Sequence, residues 1–555
     1  MEGFSQVQIE GVTPFPAEYA ARYRQRGYWE DRALIEHYLE AFSKWPDRTA
    51  IVDDDESLTY AQLASRSERV ARALVDLGLR PGDRVVLQLP NVALFASFYV
   101  ALQHIGVIPV MALPSHRFRE VEQFVRLSGA VALVSPATMR DTDFGSIFRR
   151  IAAQHESLRW HIVYGADENS DVLRLETLHQ AEPRTTAAEL AELRKAIDPE
   201  DPAVFQLSGG TTGIPKLIPR SHNDYAFNSK LAVSVCDVHE GDVLLDVLPV
   251  SHNLPLACPG MQGFLFSGAT VALSATTRPA PLFERIKRDR ATHIHVVPAL
   301  LIKLINDPAA ASYDLSSMRV IQSGGQRLQP ETRARAQRIF SAATVQENFG
   351  MAEGLLMFVR LDDPAEVRLE TVGRPICPDD EVRLVDEAGN DVADGEVGEM
   401  WARGPYTLRG YYNAPEHNAR AFSPDGFYMS GDLMWKHHTG NYVVAGRKKD
   451  LINRGGEKIS AEEVENLILE HPAVLNVACV PVDDEVLGER MCACVVLRDG
   501  AALTLPELIE HLQSYEVARY KLPEFLQVYS EFPLSPIGKV SKKDLVAQLR
   551  ESHGA

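Results

Sequence analysis

Residues 208–216 read SGGTTGIPK, and the types and spacing in this short stretch point to phosphate chemistry. Gly209, Gly210 and Gly213 let successive backbone N–H groups turn toward one point, Ser208, Thr211 and Thr212 add hydroxyl donors, and Lys216 adds a positive charge. Such a loop suits a polyphosphate. It is not a Walker A loop, because the order G-x-x-x-x-G-K-[ST] is absent and Pro215 disfavours a helix starting at Lys216. Taken alone, the stretch also fits a glycine-rich hairpin that binds nothing. What separates the two readings is whether the rest of the chain supplies a nucleotide site, a metal ligand and an acceptor substrate.

The elements that must position such a loop follow from the pattern of the chain. At 555 residues it exceeds one hydrophobic core and should split into at least two domains. The alternation of 83-DRVVLQLP-90, helical 93–105, 107-VIPVMALP-114 and helical 118–130 is that of an α/β protein with mostly parallel strands. It returns in 292-THIHVVP-298, helical 299–305 and 318-MRVIQSGG-325, whose strands end in small or polar residues, where α/β sites usually lie. Between about 373 and 446 the texture becomes short antiparallel β with D-x-x-G turns. From 447 the chain turns basic, then resumes as a small α+β unit. The expected division is a core over 1–446, with a β-rich subdomain at about 373–446, and a mobile C-terminal domain over 447–555.

Composition excludes some functions. A formal net charge of −19 gives no overall basic field, which argues against a nucleic-acid partner. The six cysteines lack C-x-x-C spacing, and no secretory leader is apparent, which fits reduced thiols in a cytoplasm. The apolar run 92–114 is interrupted by Gln103, His104, Gly106 and Pro109, so no membrane span is expected. His437 and His438 are adjacent; on a strand they would point to opposite sides, which argues against a metal site. Cys492 and Cys494 alternate in an apolar strand and read as core.

Several ordered motifs carry a resemblance: 208-SGGTTGIPK-216, 323-SGGQRL-328, 349-FGMAEG-354, 430-SGDL-433, 446-GRKKDLINRGGEKIS-460 and 535-SPIGKVSKKDL-545. Together they resemble the adenylate-forming superfamily of acyl-CoA synthetases, peptide-synthetase adenylation domains and luciferases. Within it the chain is similar to the aryl-acid AMP ligases of siderophore biosynthesis, which act on salicylate or 2,3-dihydroxybenzoate. Ala352 stands where most of the superfamily has threonine, and the aryl-acid branch shares that alanine.

The resemblance implies roles. The glycine loop with Lys216 would hold the β and γ phosphates of ATP, and Glu353 would bind Mg²⁺, a hard ion that takes one or two carboxylates plus phosphate oxygens. Gly324, Gly325 and Gln326, with Asn348 and Phe349, would frame adenine. Asp432 would accept from the ribose hydroxyls, and Arg447 would add a ribose or phosphate contact. Lys539 would bridge the acid's carboxylate and the α-phosphate during adenylation, while Lys449 falls at the hinge about which the small domain swings. After that swing another face of the small domain, carrying 455-GGEKIS-460, would line the route of a phosphopantetheine thiol to the acyl-adenylate. For the acid, Asn253 replaces the aspartate that amino-acid-activating relatives use, which excludes an ammonium partner. His252, Leu254, Cys258, Gly324 and Leu356 would complete the pocket, and the Cys258 and Leu356 pair matches the salicylate pattern. The implied acceptor is an aryl carrier protein, with CoA as the alternative; a luciferase-type oxidase or a nucleotide-sensing relative has less in its favour.

Overall fold

The structure, a computed structural model, describes residues 9–553 apart from 140–141, 181, 209–214, 326–327, 329, 456, 485, 516 and 536–537. Two large sheets form most of it, and both are parallel except at their edges. In the nine-stranded sheet the parallel run is Thr344–Met351, Val320–Gly324, His293–Val296, Val243–Asp246, Thr270–Leu273 and Thr49–Val52. In the seven-stranded sheet Pro202–Leu207, Ile108–Met111, Arg84–Leu87, Ala132–Pro136 and Trp160–Tyr164 run parallel, and Leu217–Ser221 closes one edge antiparallel.

The α/β alternation read from the sequence is present, and its physical basis is visible in helix Ala93–Ile105. Every residue of that helix except Leu94 is buried. Such all-round burial matches a predominantly apolar helix with no polar face to turn to solvent; Ser97, Gln103 and His104 are buried with the rest. It packs against helices Leu34–Lys44 and Tyr60–Asp76, and strands of both sheets join it in one core: Ile51, Leu244 and Val271 from the larger, Val85, Leu87 and Val134 from the smaller. Among the described residues no helix is long and apolar enough to cross a membrane.

Glu381–Val385, Gly398–Arg403, Tyr428–Lys436 and Tyr442–Arg447 make a four-stranded antiparallel sheet, in keeping with the D-x-x-G turns between them. Beyond a single 3₁₀ turn at Lys448–Asp450, a further sheet contains Leu451–Arg454, Glu457–Ser460, Val474–Asp484, Gly488–Leu497 and Phe525–Tyr529. Helices Ala461–Leu469, Leu505–Gln513 and Lys542–His553 belong to the same stretch of chain, and the first two share a core with that sheet. Thr504 and Glu507 cap each other's backbone N–H groups at the start of Leu505–Gln513, which is why the helix begins there. Cys492 and Cys494 are fully buried, as expected, and all six cysteines are free and buried.

Candidate active site

The glycine-rich stretch joins two antiparallel strands. Leu207 pairs with Leu217, and the loop between them is tied at its base: Ser208 N–H donates to the Lys216 carbonyl at 3.0 Å, and Lys216 N–H donates to Ser208 Oγ at 2.9 Å. A hairpin frame and a phosphate loop are therefore not alternatives here. Gly209, Gly210, Thr211, Thr212 and Gly213 lie outside the described residues.

Lys216 lies beside Tyr411. Its Nζ sits 5.7 Å from the centre of the Tyr411 ring, and the Tyr411 phenol donates to Glu353 Oε1 at 2.8 Å. Glu353 stands between the antiparallel strands Thr344–Met351 and Gly354–Phe358, on a two-residue turn. Burial raises its carboxyl above the ordinary range, against the Tyr411 hydrogen bond and the charge of Arg447, so a cation there would favour the ionised form.

The next carboxylate is paired. Asp432 and Arg447 are cross-strand neighbours, with Arg447 Nε 2.7 Å from Asp432 Oδ1, and Asp432 is 3% exposed. Its charge holds the Arg447 guanidinium above its ordinary value. Lys539 arrives from the C-terminal tail. Burial, then the like charges of Arg447 and Lys449, push its ammonium down to about 8, with Asp432 opposing. Burial and then Arg447 also lower Lys449. Gly325 makes the approach of Lys539 possible: a Cβ there would lie 2.3 Å from Lys539 Cε and 2.7 Å from Nζ, and its φ of +91° suits glycine besides. Next to it, a Cβ on Gly324 would fall 2.3 Å from Asn348 Oδ1, its partner on the adjacent parallel strand. Asn348 is buried, and its Nδ2 has no partner among the described residues, a donor left for a ligand.

Near Lys539 lies a neutral cluster that begins with His252. His252 caps the short helix Asn253–Ala257, its Nδ1 accepting from Leu254 N–H at 3.3 Å. Burial, with Lys539 nearby, lowers the imidazole to about 3, so it is uncharged. Asn253 is held at both ends: its Oδ1 accepts from the Tyr225 phenol at 3.0 Å and its Nδ2 donates to Cys258 Sγ at 3.3 Å. The second N–H of that amide is not used in either contact. Gln206 Nε2 in turn donates to the Tyr225 oxygen at 3.0 Å, and Asn228 Nδ2 lies 3.6 Å from Cys258 Sγ. Burial pushes the Cys258 thiol up to about 11, so it stays neutral. Leu356 shares this buried cluster with Cys258 and Tyr225, and Leu254 packs against it partly exposed.

The comparisons with known proteins agree with this geometry. The AMP-binding enzyme family matches residues 39–412, and the C-terminal domain of AMP-binding enzymes matches 463–539. The chain belongs to the AMP-binding enzyme family. It is 44% identical over 539 residues to a Streptomyces salicylyl-CoA synthase / salicylate adenylyltransferase, with 97% of each chain covered. It is 43% identical to the salicyl-AMP ligase / salicyl-S-ArCP synthetase of Mycobacterium tuberculosis (strain ATCC 25618 / H37Rv), covering 98% of this chain and 95% of the other. It is 41% identical to the 2,3-dihydroxybenzoate-AMP ligase of Bacillus subtilis (strain 168), covering 98% of each. Among solved structures, the apo structure of Mycobacterium smegmatis MbtA superposes with a TM-score of 0.74 at 41% identity, over 97% of this chain and 99% of that one.

For this AMP-binding enzyme the structure brings most of the expected site residues into two adjoining groups. Lys216, Glu353, Asp432, Arg447, Lys449 and Lys539 form the charged one; His252, Asn253, Cys258 and Leu356 form the neutral one. Phe349 lies on the strand Thr344–Met351, one residue beyond Asn348, and Gln326 lies outside the described residues. One expectation is corrected. His437 and His438 do not diverge, because the strand ends at Lys436 and the period of two no longer applies. Their ring centres are 4.1 Å apart, and both Nε2 atoms face Glu366.

Residues the sequence did not single out support the site from behind. Tyr411 and Tyr225 each orient a functional side chain, as above. Arg220 is fully buried, with its Nε 2.8 Å from Asp224 Oδ1 and its Nη1 donating to the Ala352 carbonyl at 3.1 Å, so a buried ion pair fixes the backbone beside Glu353. An arginine in the apolar strand Leu217–Ser221 was the one available signal.

Proposed function

We propose that this AMP-binding enzyme activates an aryl acid with ATP and passes the acyl group to a pantetheine thiol. A carboxylate oxygen of the acid attacks the α-phosphorus, the bond to the β-phosphate oxygen breaks, and pyrophosphate leaves. The thiol sulfur then attacks the acyl carbon of aryl-AMP, and the C–O bond to AMP breaks. The protein's task in the first step is to position and neutralise charge.

The observation that carries this reading is the position of Lys539 against Gly325, within electrostatic reach of the Asp432–Arg447 pair and of His252 in the neutral cluster. A lysine there can touch both an acid's carboxylate and an α-phosphate. In this reading Lys216 and the glycine loop hold the β and γ phosphates, Asp432 and Arg447 hold the ribose, and Asn348 with Gly324 frames adenine. Glu353 suits Mg²⁺: Tyr411 occupies one carboxylate oxygen and leaves the other, and the ion would draw charge from the phosphate oxygens when bound. The unit from 447 onward moves about Lys449 between the two half-reactions.

For the acid, salicylate is the favoured substrate and 2,3-dihydroxybenzoate the next. Asn253 offers a neutral amide to an ortho hydroxyl. A 3-hydroxyl would meet a thiol and Leu356 instead of a good partner, which costs roughly 1–3 kcal/mol, or about 10- to 100-fold. The acceptor is an aryl carrier protein of siderophore biosynthesis, a reading to which the named mycobacterial relative lends support; the Streptomyces relative named for CoA makes CoA the rival. ATP–pyrophosphate exchange with salicylate, 2,3-dihydroxybenzoate and benzoate tests the first half. Salicylate should have the highest kcat/KM, and a parent enzyme favouring 2,3-dihydroxybenzoate refutes that choice. Transfer of labelled acyl group to carrier protein in competition with CoA tests the second.

A further inference from the structure

Four side chains that the reaction does not use converge where the helix Ala365–Glu370 meets the turn following the strand Tyr428–Lys436. His438 Nε2 lies 3.2 Å from Glu366 Oε1. His437 Nε2 lies 4.0 Å from that same oxygen and 3.5 Å from Glu370 Oε2. One ligand atom each from Glu366, His437 and His438 fall within 4.8 Å of one another. A tetrahedral ion with bonds of about 2.0–2.1 Å sets its ligand atoms about 3.3 Å apart. The separations of 3.2 to 4.0 Å come to that value by side-chain rotation, and Glu370, which stands outside the group within 4.8 Å, has to move furthest.

The buried member of the group is already oriented. His437 is 4% exposed, and its Nδ1 lies 2.8 Å from Thr439 Oγ1, which also accepts from Asn441 Nδ2 at 3.0 Å. Thr439 N–H also lies 3.4 Å from that Nδ1, so Thr439 holds the ring at Nδ1 and turns Nε2 toward the two carboxylates; a metal at Nε2 selects the tautomer in which Nδ1–H donates to Thr439 Oγ1. Metal-binding imidazoles usually make this kind of outer hydrogen bond. Two imidazole nitrogens with two carboxylates suit zinc and its borderline neighbours, and suit Mg²⁺ or Ca²⁺ poorly, since those prefer oxygen alone.

We propose that Glu366, His437 and His438, with Glu370 as the fourth ligand, form a binding site for a zinc-class divalent cation. Two carboxylates neutralise the ion, and the bound ion ties the helix to the hairpin whose first strand carries Asp432. The site is separate from the Mg²⁺ position assigned to Glu353. The simpler arrangement, in which each imidazole only donates Nε2–H to a carboxylate, binds no metal and is what the test must exclude.

The test uses the full chain stripped with chelator, titrated calorimetrically with Zn²⁺ and followed separately by the visible absorption of Co²⁺. The expected parent result is one equivalent of Zn²⁺ at this site, an intense tetrahedral-type Co²⁺ spectrum, and a Zn²⁺-dependent rise in Tm. His438→Ala and Glu366→Gln each remove a ligand that is more than half exposed, so folding is not at risk. Each should weaken that equivalent at least about 10-fold and abolish the Co²⁺ band, and Thr439→Ala should weaken it by roughly 10-fold through the outer hydrogen bond. ATP–pyrophosphate exchange with Mg²⁺ should be unchanged in His438→Ala. A parent that binds no Zn²⁺, or variants that bind it with the parent's stoichiometry and affinity, would overturn the site.

Discussion

The neutral cluster and the charged end of the site adjoin at Lys539, yet they are built on opposite terms. The neutral group is built of dipoles: Gln206, Tyr225, Asn253, Asn228 and Cys258 hand hydrogen bonds along a buried chain of uncharged side chains, with the Arg220 guanidinium at its edge beside Asn228 and Tyr225. The other end gathers ions: Lys216, Arg447, Lys449 and Lys539 with Glu353, Asp432 and nearby Asp450, more cations than carboxylates in a protein whose net charge is −19. In the neutral network the contacts named above pair its members with one another, and the second N–H of the Asn253 amide stands outside them. A surplus of cations does not close on itself in this way; burial first, and then the like charges of Arg447 and Lys449, hold Lys539 below its ordinary basicity. Under the proposed function, specificity belongs to the neutral group and chemistry to the charged one.

The comparison can be broken most severely at Lys539. Lys539→Ala should lower ATP–pyrophosphate exchange by about 10²- to 10⁴-fold, the size expected for a group aimed at developing charge, and leave thiol capture of a supplied aryl-adenylate near the parent rate. Equal loss in both assays would remove the lysine from adenylation. Lys449→Pro, which restricts the backbone at the 3₁₀ turn, should leave exchange within a few-fold and slow transfer to the carrier by about 10-fold or more. Transfer at the parent rate would mean that the swing occurs elsewhere.

On the neutral side the effects are smaller and more selective. Cys258→Ser with Leu356→Val should move the ratio of kcat/KM toward 2,3-dihydroxybenzoate by roughly 10- to 100-fold. Tyr225→Phe leaves Asn253 Oδ1 and Gln206 Nε2 without their shared partner, so kcat/KM for salicylate should fall about 10-fold while benzoate, with no ortho hydroxyl, is little affected. An equal fall for both acids would make Tyr225 a packing residue only. The smallest expected effect is in pH. Lys539 acts protonated and its ammonium is pushed down to about 8, so kcat/KM for exchange should decline as pH rises through about 8, roughly 4-fold between pH 7 and 8.5. An enzyme whose kcat/KM is flat to pH 9.5 would contradict that assignment.

The alternating α/β layers and the β-rich segment were legible in the sequence because each rests on local periodicity. Gly, Thr and Lys in 208–216, or Glu353 within FGMAEG, were likewise recognisable by type and order. Reading went wrong at His437 and His438, where a period-two rule was carried one residue past the end of its strand. It passed over Tyr225, Tyr411 and Arg220, because a tyrosine that orients an amide is written no differently from one that fills a core. The sequence by itself determined which groups are present and which elements carry them, since propensity, patterning and turn chemistry act over a few residues. Only the tertiary structure decided that Lys539 meets Gly325, that Asn253 is gripped between Tyr225 and Cys258, and that two histidines face Glu366. Those are contacts between segments far apart in the chain, set by how whole layers pack, and no local pattern encodes their distances.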